Sequence, residues 1–216
     1  LCNSVSWLEI GVPENATCTL LPAQNEKPIV AYGTSIMHGA YASRPGLGWT
    51  NILGRKLNSK MINLGFSGNG QLEPAMIDLI NELDGKLYIL DCIPNLWDKT
   101  KFSAEEIEKR MRHAEAEIHK KHPGVPIIFT EHCSGKDGVN LDTIMAQKYI
   151  AVSKISAAVF KKMKKEGIKN IYQLTAIEIG FNTESTLDGT HPNDIGMMQY
   201  ANAYYHLIRN KIGLSK

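Results

Sequence analysis

Five short apolar runs recur along the chain: Pro28–Tyr32, Met61–Leu64, Leu87–Leu90, Val125–Phe129 and Ile171–Leu174. They are continuous rather than alternating, which suits strands buried on both faces. Helical patterns lie between them. Ser103 and Glu106 make a capping box, and Ile107, Met111, Ala114 and Ile118 follow on one helical face until Pro123-Gly124 stops the helix. Met145, Val152, Ile155, Val159 and Met163 mark a second stripe. Ile195, Met198, Ala201, Tyr205, Ile208 and Ile212 mark the last. Two more helices are expected near residues 47–58 and 73–83. Strands alternating with helices give parallel β-α-β units with right-handed crossovers. The predicted fold is α/β: a three-layer α/β/α sandwich on a flavodoxin-like, five-stranded parallel sheet.

Residues 1–26 read differently. Ser6–Val12 alternates enough for a short strand, which Pro13 ends, and the rest is turn-rich. The chain begins with Leu and shows no basic segment followed by an apolar one, so a processed form or a piece of something longer is expected. The domain division is a tail at 1–26 and an α/β domain at 27–216. No internal repeat or low-complexity segment is present.

Composition adds limits. A chain of 216 residues is long enough for one large domain or two small ones. At 43% hydrophobic and 21% charged residues it excludes an intrinsically disordered chain. No uncharged apolar run approaches the roughly 20 residues of a membrane span. The formal charge of +2 shows no nucleic-acid footprint. Lys161, Lys162, Lys164 and Lys165 read as a solvated helix end that complements the macrodipole. Cys2, Cys18, Cys92 and Cys133 have no zinc spacing. A Cys2–Cys18 pair stays open, and Cys92 and Cys133 read as buried thiols beside strands. Oligomeric state is not legible.

In open parallel sheets, sites form beyond the carboxyl ends of the strands. The first strand is followed by Gly33-Thr34-Ser35-Ile36, which can present a hydroxyl and a backbone N–H together. It lacks the second Gly of a nucleophile elbow. The second is followed by Gly65-Phe66-Ser67-Gly68-Asn69-Gly70, which is not the dinucleotide fingerprint. Its glycines can bring backbone N–H groups close to a ligand. After the third comes Asn95, whose amide can donate to an oxyanion. Before the last helix comes Asp188-Gly189-Thr190-His191, where carboxylate and imidazole can meet in one tight turn. Singly, each has an ordinary reading as a turn, cap or surface residue. Together they make the part list of acyl transfer: nucleophile, base, orienter and oxyanion donors.

On these residues the sequence resembles the SGNH (GDSL-like) hydrolase superfamily over roughly residues 27–212. Gly33–Ile36 is similar to its first block, with Thr34 where Asp is commonest. Gly68 matches the second block and Asn95 the third. The third block departs from its usual G-x-N-D, with Ile93 for Gly and Leu96 for Asp. Asp188-x-x-His191 matches the fifth. The segments at 33–36, 42–46, 63–70, 90–95 and 188–194 look like a bacterial subgroup in which this domain follows a small N-terminal β-sandwich. That likeness makes residues 1–26 the tail of such a domain. It also implies export to the periplasm or medium, and acylated carbohydrates as substrates.

The implied activity is a serine esterase for short, acetyl-like esters. Ser35 would be the nucleophile, His191 the base and Asp188 its orienter. The Ser35 and Gly68 N–H groups and the Asn95 amide would form the oxyanion hole. No metal or organic cofactor is required, and the expected partner is a small-molecule or carbohydrate ester. An acyltransferase would use the same residues. A flavodoxin-like nucleotide or flavin module would use Gly65–Gly70 but leaves Asp188 and His191 unexplained. His38 could line an acyl pocket, and Glu131-His132 opens a loop to Asn140 that could shape access. Neither is read as catalytic.

Overall fold

The structure, a computed structural model, describes residues 6–20, 22, 25–133 and 142–214. Five strands, β1 (Ile29–Gly33), β2 (Met61–Gly65), β3 (Leu87–Asp91), β4 (Ile127–Thr130) and β5 (Ile171–Leu174), form one parallel sheet in the order β2-β1-β3-β4-β5. β1, β3 and β4 are buried along their whole length, whereas the edge strands β2 and β5 are only partly covered. This is why the inner runs carry no polar alternation. Successive residues feed opposite cores. Ile29, Ala31, Leu87 and Ile89 join one, and Val30, Tyr32, Tyr88 and Leu90 join the other.

The first core is covered by α2 (Trp49–Leu57) and α7 (Asp194–Leu207), where Trp49 stacks on Tyr204 at 4.4 Å. The second is covered by α3 (Pro74–Ile80), α4 (Ala104–Lys121) and α5 (Thr143–Lys165). Two four-residue helices, α1 (Ser35–His38) and α6 (Ala176–Ile179), start directly after β1 and β5. The three-layer α/β/α sandwich is therefore as the alternation predicts.

Three local expectations change. Residues 6–12 form no strand, and Trp7, Leu8 and Ile10 are exposed. The last helix is rotated from its predicted stripe. Ile195 and Met198 face solvent, while Met197, Tyr200, Ala201, Tyr204 and Leu207 are buried. Apolar residues lie on both faces of this helix, so spacing alone does not choose, and the large aromatic rings take the core. The Ser103 box is half made. The Ser103 hydroxyl accepts from the Glu106 N–H at 3.2 Å, but the Glu106 carboxylate turns to Arg110 at 2.7 Å. Complete boxes form instead at Thr175/Glu178 and Asn182/Ser185.

Cys92 and Cys133 are buried as expected, and Cys18 is exposed. The Cys2–Cys18 alternative and the loop from Ser134 to Asn140 lie outside the described residues. Lys162 of the basic cluster pairs with Glu108 at 2.6 Å, at the α5 end. No helix among the described residues is long and apolar enough to cross a membrane.

Candidate active site

The chain leaves β1 for β2 on one side and returns to β3 on the other, so the carboxyl ends of β1 and β3 flank the switch point of the sheet. Ser35 and Asn95 both issue from it. Thr34 caps α1, its hydroxyl accepting from the Ile36 N–H at 3.3 Å. Ser35 thus occupies the first helical position, where a backbone N–H has no acceptor within the helix. Its side chain is nearly buried, and Oγ lies 2.8 Å from His191 Nε2.

His191 is 156 residues further along the chain. Its Nδ1 lies 2.7 Å from Asp188 Oδ2. The other carboxylate oxygen, Oδ1, accepts from the N–H groups of Thr190 at 2.9 Å and His191 at 2.7 Å. The three-residue spacing therefore lets Asp188 hold both the turn and the ring. Burial pushes the Asp188 carboxyl up, but the bonds from the His191 N–H and ring outweigh it and leave the group below the ordinary carboxylate range. It stays ionised, which fixes the proton on Nδ1 and leaves Nε2 to accept from Ser35. Thr186 braces the turn, donating to the His191 carbonyl at 2.8 Å and accepting from the Gly189 N–H at 2.9 Å. Hydroxyl, imidazole and carboxylate thus form one hydrogen-bonded line, which can move a proton off the hydroxyl as it attacks.

Gly68 sits in the turn after β2 with φ +73, a conformation that side chains with a Cβ rarely adopt. Gly70 is needed for a different reason: a Cβ there would run into the Gly33 carbonyl. The Asn95 amide donates to the Gly70 carbonyl at 3.3 Å, so the third strand end is tied to the second. The two departures from the family block become intelligible. Cys92 leads into a 3₁₀ turn over Ile93–Leu96, and Ile93 and Leu96 are buried in the second core. Only Asn95 of this turn is partly exposed.

A brace under the Gly68 turn was not legible in the sequence. The Tyr32 hydroxyl donates to Glu73, and the same carboxylate accepts from the Gln71 N–H at 2.9 Å. Arg110, on α4, donates to the Gln71 carbonyl at 2.8 Å. Residues 32, 73 and 110 come from three separate elements, so no local pattern marks them. Tyr41 was also missed. Its ring meets His191 edge to face, with centroids 5.3 Å apart.

Glu131 and His132 have structural roles. Glu131 accepts from the Gln173 amide at 3.2 Å and from the Ala176 N–H at 2.9 Å, holding the start of α6. His132 is buried against Tyr149 at 4.2 Å, and burial, with the charge of His191, lowers its pKa to about 3. It stays neutral. The His38 N–H closes α1 on the Thr34 carbonyl at 2.9 Å. Among the described residues, no three His, Cys, Asp or Glu side chains converge as metal ligands.

A parallel α/β/α sandwich with this line of side chains at its switch point defines a class of hydrolase-like folds. The chain belongs to the GDSL-like lipase/acylhydrolase family, whose sequence profile matches residues 26–209. It is similar to a candidate GDSL-like lipase from Bacteroides ovatus, with 33% identity and a TM-score of 0.74 over 85% of this chain and 53% of that one. It is similar in fold to the salicylyl-acyltransferase SsfX3 of a tetracycline biosynthetic pathway, with 23% identity and a TM-score of 0.69 over 86% of this chain and 55% of that one. A family two carbohydrate esterase from Clostridium thermocellum, solved with cellohexaose, shares the fold at 14% identity and a TM-score of 0.68, over 90% of this chain and 67% of that one. The chain spans about half the length of the first two. No match to a curated protein is found.

Proposed function

We propose that the chain is a serine esterase that removes short, acetyl-sized acyl groups from carbohydrate through an acyl-enzyme. The observation that carries this reading is the Ser35–His191–Asp188 line, with contacts of 2.8 and 2.7 Å.

Ser35 Oγ attacks the ester carbonyl as its proton passes to His191 Nε2. Asp188 stabilises the imidazolium that results. The negative charge on the former carbonyl oxygen is met by the Ser35 and Gly68 N–H groups and by the Asn95 amide N–H that is not bonded to Gly70. Losing one such donor typically costs ~3–4 kcal/mol of barrier. The tetrahedral intermediate collapses, the C–O bond to the alcohol breaks, and His191 returns its proton to the departing oxygen. Water then repeats the sequence on the acyl-Ser35. No step calls for a metal or organic cofactor.

The carbohydrate and the acetyl group rest on the likeness to the bacterial subgroup, as does a periplasmic or secreted location. The fold shared with a carbohydrate esterase fits them. The likeness to an acyltransferase supports one second reading, in which a sugar or alcohol replaces water in the last step. Hydrolysis of p-nitrophenyl acetate by wild type and Ser35→Ala tests the first reading, and equal rates in both would sink it. Adding a competing alcohol and analysing products separates hydrolysis from transfer. Acetylated sugars and p-nitrophenyl esters of increasing chain length then locate the substrate.

A further inference from the structure

We propose that Tyr41 is the platform on which the leaving-alcohol side of the substrate, a sugar ring, is seated. This rests on the esterase reading above and names which part of the substrate the ring meets.

Three features of Tyr41 point the same way. Its φ is +66, in the left-handed region that bulky side chains rarely enter. Such a conformation persists only where the surroundings impose it. Here the chain is pinned on both sides: the Ala40 N–H donates to the Ser35 carbonyl at 3.0 Å, and the Ser43 N–H donates to Asp194 Oδ1 at 2.9 Å. The ring is not held for burial, because the residue is 53% exposed. It nevertheless stands at 87° to the His191 ring, 5.3 Å between centroids. The fold thus holds an exposed aromatic ring beside the imidazole, on a backbone that a glycine would suit better.

The position identifies the part of the substrate. One nitrogen, His191 Nε2, takes the Ser35 proton and later delivers it to the departing oxygen. That oxygen must come within hydrogen-bond reach of Nε2. The Tyr41 ring, 5.3 Å from the imidazole between centroids, is beside the group that the departing alcohol must reach. A tyrosine ring offers an apolar face for the C–H surface of a pyranose and a hydroxyl at its edge. Exposed Ser43 and Arg44 follow it in the chain, half-buried Asp194 accepts from the Ser43 N–H, and such polar side chains can bond to sugar hydroxyls. An alkyl alcohol would leave them without such partners.

The test compares wild type, Tyr41→Phe, Tyr41→Ala and Tyr41→Gly on glucose pentaacetate, ethyl acetate and hexyl acetate. Tyr41→Gly suits the left-handed backbone, so its melting temperature should equal or exceed that of wild type, and its loss then belongs to the ring. In Tyr41→Ala and Tyr41→Gly, the kcat/KM ratio of glucose pentaacetate to ethyl acetate should fall about tenfold, mainly through KM. Tyr41→Phe should keep most of the ratio.

An unchanged ratio overturns the proposal. So does an equal loss on all three esters with a displaced acidic limb of the pH–rate profile, because Tyr41 would then act through His191. A greater loss on hexyl acetate than on the sugar ester also overturns it. Ser35→Ala, run alongside, separates the two levels. If it matches wild type, the esterase reading fails and takes this proposal with it. If it is inactive while Tyr41→Ala keeps the wild-type ratio, only the proposal fails.

Discussion

Asp91 ends β3 in the register position opposite Gly33, two residues before Ser35, and is fully buried. Neither carboxylate oxygen has a hydrogen-bond partner in good geometry among the described residues. The Tyr204 hydroxyl is near, but it is engaged by Thr130 at 2.6 Å. Burial pushes the Asp91 pKa from 3.8 to about 7, and the nearby Tyr204 hydroxyl offsets only part of this. The folded protein therefore holds this proton to near neutrality, whereas the unfolded chain releases it near pH 3.8. Between those limits the folded state binds more protons, so stability falls as pH rises.

The distance from 3.8 to about 7 is a little over three pH decades. At 1.36 kcal/mol per decade, the charged carboxylate costs the folded state on the order of 4 kcal/mol. The cost is absent below the lower limit and complete above the upper one. Asp91→Asn keeps the shape and removes the titration. Its unpaired amide adds an offset of about 1–3 kcal/mol that does not depend on pH. Urea unfolding of both proteins, followed by tryptophan fluorescence at pH 5 and pH 8, reads the difference. Relative to wild type, the variant should gain about 2–3 kcal/mol on going from the lower pH to the higher. A gap that stays the same at both values would refute a neutral Asp91 in the folded state.

Three further outcomes are expected. Asn95→Ala should lower kcat on p-nitrophenyl acetate by roughly 10²-fold with the fold intact, as checked by circular dichroism. An unchanged kcat would assign the oxyanion to other donors. Glu73→Ala removes the acceptor shared by the Gln71 N–H and the Tyr32 hydroxyl and should lower kcat roughly tenfold, with KM less affected; Glu73→Gln, which keeps an acceptor, should recover most of it. Asp188→Asn removes the charge and, with its oxygen kept on the Thr190 and His191 N–H groups, turns an N–H donor toward Nδ1, which favours the wrong tautomer and should reduce kcat by roughly 10³–10⁴ in steady-state assays.

Much of the architecture was legible because it depends on short-range pattern. A strand buried on both faces must be apolar throughout, which announced β1, β3 and β4, and the partly covered edge strands β2 and β5 were still apolar enough to read, each with one polar residue, Asn63 and Gln173. Strand ends are defined once strands are, so Ser35, Gly68, Asn95 and Asp188/His191 stood out as a set. The Asp188–His191 contact is itself local: a three-residue turn brings ring and carboxylate together.

Other features depend on which surfaces meet. The last helix carries apolar residues on two faces, and packing of Trp49 against Tyr200 and Tyr204 chose between them. The Ser35–His191 bond spans 156 positions, and only the return of the chain to the switch point closes it. The Tyr32–Glu73–Gln71 brace, the Arg110 contact and the Tyr41–His191 ring pair likewise join elements distant in sequence. A periodic pattern records what each element hides from water. It does not record which side chains become neighbours once the faces are packed, and the support of this site is made of such neighbours.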